Sequence, residues 1–354
     1  MELNWSVEQL ELQQPLRISR GSMSSRDAVL VELHHGGQTG YGEAVASAYY
    51  RQDAAAITRT LGEIAPLAAD LRDPFELLGL LDKLNEERPE QAGTLAALDA
   101  AAHDWIGKTL GLPVHRFLGL DPHRLRPTAV TLGITRPEAA ASAARHAVAR
   151  GYPILKLKVG LPDAAEERAL VAAVRNAAPE AALYLDANGG WSPEEAAARI
   201  EHLLPFAPVL VEQPIAAGQP AQLARVSAQS ALPIIADEDV LRPGDVPGLW
   251  GVVAGINIKL NKCGGIRQAL RMAHAARAAG MQVMLGCMVS SSLGIAPAAQ
   301  IAPLADYLDL DGHLLLRHDP WTGLGGAGGR LELAGGSGLG VIRRNHGDSR
   351  RNTE

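Results

Sequence analysis

Lys158, Asp186, Glu212, Asp237 and Lys259 follow one another at steps of 28, 26, 25 and 22 residues. Each closes a short apolar run, as in Ile154-Leu155-Lys156-Leu157-Lys158 and Asn257-Ile258-Lys259. Charges set into apolar strands are costly to bury unless they are paired or bound to a metal. Three carboxylates on successive units that converge on one point call for a cation. A set of oxygen donors without His or Cys suits Mg²⁺, which is held at about 2.1 Å and keeps positions open for water or a substrate oxygen. Lys156 and Lys158 lie two residues apart and so share one face of a strand.

The elements that must position these groups are legible as a repeat. After Pro127, eight short apolar runs read as strands: 129–133, 154–159, 182–186, 209–213, 233–237, 255–260, 282–287 and 307–311. Alanine-rich helical runs separate them, among them 138–150, 164–177, 193–204 and 265–279. Eight βα units in series predict a TIM-type α/β barrel, whose functional groups sit at the C-terminal ends of its strands. Asn188 and Glu238 fall at two of those ends beside the acids. The second and sixth strands stand on opposite walls of such a barrel, so Lys158 and Lys259 would approach a central ligand from opposite faces. Crowded by a cation and by each other, both are expected to have lowered pKa values and to act as bases near neutral pH.

The segment before the barrel reads as α+β. A strand at 28–33 and a turn at 36–40 predict a hairpin that opens the protein, and 54–110 is helical with breaks near Pro74 and Pro89. The expected organisation is an α+β domain over 1–120, a barrel over 121–329, a return of 330–342 to the first domain as a strand over 331–341, and a frayed tail over 343–354. Glycine-rich 323–329 lacks the strand-to-helix setting and the Lys-Ser/Thr of a phosphate loop and reads as a plain loop.

Hydrophobic residues make up 47% and charged residues 20%, the balance of a chain that buries a large core. Lys and Arg total 33 against 39 acids, and no basic run tracks a nucleic-acid backbone, so nucleic acid is excluded as a partner. No apolar run reaches the roughly 20 residues of a membrane span, and no secretory signal is visible at the N-terminus. Two cysteines, Cys263 and Cys287, make no disulfide framework or zinc spacing, which points to a reducing, cytoplasmic setting. A homo-oligomer is compatible with all of this.

At these residues the chain resembles the enolase superfamily, in its muconate-lactonizing subgroup. The resemblance runs through Lys156-Leu157-Lys158, Asp186-Ala187-Asn188, Val211-Glu212-Gln213-Pro214, Ala236-Asp237-Glu238 and Ile258-Lys259 with Gly264-Gly265, over about residues 10 to 340. It implies that the first domain caps the barrel. Within the subgroup the chain is most similar to the dipeptide epimerases, through Met284-Leu285-Gly286-Cys287-Met288 and Asp309-Leu310-Asp311-Gly312. That similarity implies that Asp309 and Asp311 hold a dipeptide's ammonium group and that Cys287 and Met288 are wall residues. It also implies that Arg20 presents its guanidinium to an acidic substrate side chain, with Arg17 near enough to compete. Many relatives carry Glu where this chain has Ser290.

The mechanism implied is inversion at the α-carbon of the C-terminal residue of an L-Ala-Xaa dipeptide, with L-Ala-L/D-Glu the expected substrate. Mg²⁺ on Asp186, Glu212 and Asp237 would take the substrate carboxylate and stabilise an enediolate. Lys158 and Lys259 would exchange the proton on opposite faces, Lys156 would stabilise the developing oxyanion, and Asn188 and Glu238 would orient the metal ligands. An o-succinylbenzoate synthase, N-acylamino acid racemase or cycloisomerase on the same core is the alternative. A metal-carboxylate binder without turnover is a more distant one.

Overall fold

The computed structural model describes residues 1–333 and 336–344. The first unit is a three-stranded antiparallel sheet, β1 (Glu2–Ile18), β2 (Gly21–His35) and β3 (Gln38–Val45), packed against α1 (Ala54–Ala69), α2 (Pro74–Glu87) and α3 (Ala92–Leu110). The expected hairpin is β2–β3, but a 17-residue strand precedes it. Period-two reading misses β1 because its buried face changes along its length. Leu3 packs with the helices of the first unit, whereas Leu10 and Leu12, on the opposite parity, pack with Val289 and Leu316 of the barrel. Asp53 and Asp73 cap α1 and α2 with their carboxylates, and Pro74 begins α2 where no N–H is required.

The barrel strands are β4 (Val130–Leu132), β5 (Ile154–Lys158), β6 (Ala182–Asp186), β7 (Leu210–Glu212), β8 (Ile234–Ala236), β9 (Gly255–Ile258), β10 (Gln282–Gly286) and β11 (Tyr307–Asp309). All neighbours are parallel and in sequence order. A bridge between Thr128 and Leu308 closes the ring, with Ala129 N donating to Leu308 O at 2.9 Å. β5, β6, β7 and β11 end on Lys158, Asp186, Glu212 and Asp309 themselves, whereas β8 and β9 end one residue before Asp237 and Lys259. Parity then sorts the side chains. Leu155, Leu157 and Val159 face the surrounding helices, while Ile154 joins Tyr184, Leu210, Ile235 and Met284 in an apolar plug inside the barrel. Lys156 and Lys158, on the parity of Ile154, therefore stand above that plug.

The first unit docks through α3. Gly40 and Gly42 of β3 lie so close to it that a Cβ on either would come within 2.0 Å of a carbonyl oxygen of Ala101 or Ala97. On its other side Asp99 accepts the N–H of Ile266 at 2.6 Å, at the start of the helix that follows β9. Near the C-terminus, Gly338 pairs with Pro113, and among the described residues the strand formed there is β13 (Ile342–Arg343), against β12 (Trp321–Thr322), where one over 331–341 was expected. Arg343 then ion-pairs with Glu8 of β1 at 2.6 Å. The expected frayed tail lies outside the described residues from 345 onward. Among the described residues no helix is long and apolar enough to cross a membrane.

Candidate active site

Parity brings the expected charges to one place. Lys156, fully buried on β5, has Asp309 at 2.5 Å, Glu212 at 2.8 Å and Asp186 at 3.1 Å from its ammonium nitrogen. Lys158 lies 2.5 Å from Asp186. Across the mouth, just past β9, Lys259 is 2.8 Å from Asp237 and 3.9 Å from Glu212. Asp186, Glu212 and Asp237 come from three adjacent strand ends, with Asp186 and Glu212 directly opposite in register.

For Lys259 the electrostatics of the protein's own groups run against the expectation of a lowered pKa. Burial lowers the pKa of Lys259, but Asp237 and Glu212 outweigh it and hold the ammonium well above its usual range. Lys156 is likewise raised, with Asp309, Glu212 and Asp186 overcoming desolvation. The reason is that the carboxylates themselves supply the countercharge at contact distance. Among the acids, Glu212 is pushed up to about 7 by burial and by the charge of Asp186. Asp237 is driven well below its usual range, because Lys259 and Lys262 offset its burial.

The donor set fits a hard cation. All three carboxylates are buried, and Glu212 Oε2 accepts no well-directed hydrogen bond although the Lys156 ammonium is 2.8 Å away. Glu238 Oε2 and Asn188 Oδ1, both buried beside them, also lack a partner among the described residues. Asn188 sits in the left-handed region (φ 45°), which carries its N–H back to Asp186 Oδ1 at 2.9 Å. Its side-chain amide reaches Glu238 at 3.5 Å.

Two expected site residues are placed differently. The resemblance implies that Asp309 and Asp311 hold one ammonium group together, as two residues apart on one strand face could, but β11 ends at Asp309 and Asp311 begins a 3₁₀ turn over Gly312–Leu315. Alternation therefore stops between them. Asp309 turns to Lys156, while Asp311 accepts Thr131 N at 2.6 Å and Thr131 Oγ1 at 3.2 Å. Arg20 does reach the mouth, but its guanidinium already donates to Glu238 at 2.6 Å and to Asn188 O at 2.8 Å and lies over the Tyr49 ring. Arg17 remains in the β1–β2 pairing at Ser22.

A cavity of about 630 Å³ opens above the charges, between Lys158, Lys259, Asp237 and Glu238 below and, in the first unit above, the end of the β1–β2 hairpin over 16–27 and the segment 46–53. Cys287 and Met288 line it, as expected of wall residues. Desolvation, with the charges of Asp309 and Asp311, pushes the Cys287 thiol far above its usual range. Arg26 lines the same cavity with no carboxylate partner among the described residues, and its Nε makes no hydrogen bond. Sequence reading missed Arg26. It also missed Lys262, whose buried ammonium contacts Asp237 Oδ1 at 2.5 Å and the carbonyl oxygens of Asp237, Val240 and Asn257. Asn257, on the inward parity of β9, donates to Glu212 at 2.8 Å and could have been found from that parity alone.

A parallel barrel with an α+β cap, three acids at adjacent strand ends and ammonium groups on opposite walls defines an enolase-type protein. The profile of the enolase C-terminal domain-like family matches residues 138–342, and that of the mandelate racemase / muconate lactonizing enzyme N-terminal domain matches residues 2–119. The chain belongs to this family. It is 33% identical to the L-Ala-D/L-Glu epimerase of Bacteroides thetaiotaomicron over 97% of this chain and 88% of that one. It is 37% identical to the hydrophobic dipeptide epimerase of Roseobacter litoralis over 91% and 93%. Its structure superimposes on the dipeptide epimerase of Enterococcus faecalis complexed with Mg and L-Leu-L-Tyr with a TM-score of 0.90, at 31% identity over 96% of this chain and 98% of the other.

Proposed function

We propose that the protein is an isomerase that epimerises dipeptides at the α-carbon of the C-terminal residue. The observation that carries this reading is the pair Lys158 and Lys259 on opposite walls of one cavity, each beside a buried carboxylate. The relatives above, two named for dipeptide epimerisation and one complexed with Mg and a dipeptide, support the substrate class and the metal.

In this reading Asp186, Glu212 and Asp237 would hold Mg²⁺, which would neutralise the substrate carboxylate and so make the adjacent C–H acidic. One of Lys158 and Lys259 acts as the neutral amine while the other is an ammonium. The neutral amine takes the α-proton from one face. The ammonium opposite returns a proton to the other face, and the configuration inverts. Lys156 stays protonated among Asp309, Glu212 and Asp186 and stabilises developing negative charge on the carboxylate oxygen. Asn188 and Glu238 orient the ligands. L-Ala-L-Glu is the substrate we propose, with Arg20 released from Glu238 to read its side chain, and the cytoplasm is the compartment.

A second reading, an N-acylamino acid racemase on the same core, is favoured by one observation. Asp309 Oδ2 is engaged by Lys156 and both Asp311 oxygens by Thr131, which leaves Asp309 Oδ1 as the one open acceptor of the pair, where a clamp on a substrate ammonium would use both carboxylates. A dipeptide library incubated in deuterium oxide, with α-deuterium read by mass spectrometry, decides between them. Incorporation into free L-Ala dipeptides supports the first reading, and incorporation only into N-acylated amino acids replaces it with the second.

A further inference from the structure

The Lys158 side of the mouth has a support with no counterpart in the mechanism above. Glu167 lies in the first turns of the helix Ala164–Ala177, which follows β5. Its carboxylate is buried, although acids at that position are usually solvated. Oε2 accepts the backbone N–H of Gly160 at 2.5 Å and of Leu161 at 2.9 Å, the second and third residues after Lys158. Both carboxylate oxygens also face the indole N–H of Trp191, at 3.0 and 3.1 Å, on the loop that follows Asp186 and Asn188. Arg199, on the helix Ala196–Leu203, completes the set at 3.4 Å and donates to Leu161 O at 3.1 Å.

Side chains on a helix lean toward its N-terminus, and the dipole there favours a carboxylate, so Glu167 is aimed at the loop from which its own helix starts. The two loops it joins also touch through backbone. Gly160 has φ +88° and packs on Gly190, and a Cβ at Gly160 would lie 2.5 Å from Ala187 O. One carboxylate thus satisfies donors from both loops at a joint too tight for side chains.

Building on the epimerase reading, we propose that Glu167 is a positioning residue that fixes the Lys158 ammonium over the substrate by bracing the loop after β5 against the loop after β6. Lys259 stands on the opposite wall, held by Asp237 beside Lys262, and owes nothing to Glu167. The brace therefore acts on one face of the reaction. A merely structural role would lower both half-reactions together.

The test is Glu167→Gln, which places an amide N–H₂ against the Trp191 and Arg199 donors, with Trp191→Phe as a milder second variant. α-Proton exchange is measured for each epimer separately. The epimer that Lys158→Ala fails to exchange should slow by about tenfold or more in Glu167→Gln, as misplacement by a fraction of an ångström does, while the other changes less than about threefold. Trp191→Phe should show the same asymmetry at smaller size. Equal losses for both epimers, or none, would overturn the assignment. A readout without substrate or metal accompanies it, because peptides spanning 159–162 and 189–192 should gain amide exchange in Glu167→Gln over the wild type. Unchanged protection there overturns the brace even if the protein proves to be no dipeptide epimerase. A wild type that exchanges no dipeptide, with the protection loss present, sinks only the functional reading.

Discussion

At the barrel mouth, Lys156 faces three carboxylates, and Asp237 lies between Lys259 and Lys262, all of them buried. Across the cavity, on the cap, Arg20 keeps about a third of its side chain exposed (34%) and has one carboxylate, and Arg26 has none among the described residues. The mouth charges hold one another, so their geometry is set by eight strands and is hard to alter one residue at a time. Arg20 sits on the turn between β1 and β2, and Arg26 on β2 itself. They can change what is bound without disturbing what is done to it, which is how one scaffold serves many substrates.

Removing a mouth charge should have the largest effect. Asp237→Asn takes away a proposed metal ligand and the partner of two buried ammonium groups. Its Mg²⁺ affinity, measured by calorimetry, should fall by more than the roughly 10–100-fold that loss of an outer partner costs, with activity falling in parallel. Full activity in the variant after chelator treatment would detach the acids from the metal.

Asp311 lies at the margin between the two regions. If it holds the substrate's ammonium, Asp311→Asn should cut kcat/KM for a free dipeptide by about a hundredfold, the worth of a charged contact in a closed site. A loss below about threefold, with N-acetylated substrate turned over as fast as free dipeptide, would mean that Thr131 is its only partner and would favour the racemase reading.

The joint between cap and barrel supplies a pH test. Glu43 of β3 is buried and accepts the N–H and hydroxyl of Ser291, at the start of the helix after β10. Burial, only partly offset by Ser291, raises its pKa from 4.5 to about 7. Between those values the folded protein keeps a proton that the unfolded chain has released, so stability falls as pH rises through that window. The loss attributable to Glu43 should approach about 3 kcal/mol and disappear in Glu43→Gln, read as the difference in unfolding free energy between pH 4.5 and 7. Parallel pH profiles for the two proteins would contradict it.

The cap arginines should give the smallest effect and the most selective one. Arg20→Met is expected to lower turnover of L-Ala-L-Glu by about tenfold more than that of L-Ala-L-Leu. The same split in Arg26→Met alone would transfer the role to Arg26.

The two regions also differed in how readable they were. The repeat of strand-end charges and period-two parity placed the barrel and Lys156, Lys158, Lys259 and the three acids, because burial leaves each of those residue types few explanations. β1 escaped because its buried parity changes between Leu3 and Leu10, and Asp311 because a 3₁₀ turn cancels the alternation its spacing implied. Glu167 and Lys262 were invisible for another reason. Their partners, backbone groups and an indole together with Arg199 for Glu167 and Asp237 for Lys262, are brought together only by the fold, and residue type carries no trace of that.

The central claim is that two lysines serve opposite faces of one substrate, and it is tested by α-proton exchange in Lys158→Ala and Lys259→Ala, each incubated with each epimer of L-Ala-Glu and Mg²⁺ in deuterium oxide. Each variant should lose epimerisation, and each should still exchange the α-proton of one epimer only, the two variants choosing opposite epimers. Equal residual exchange of both epimers by both variants would contradict the account.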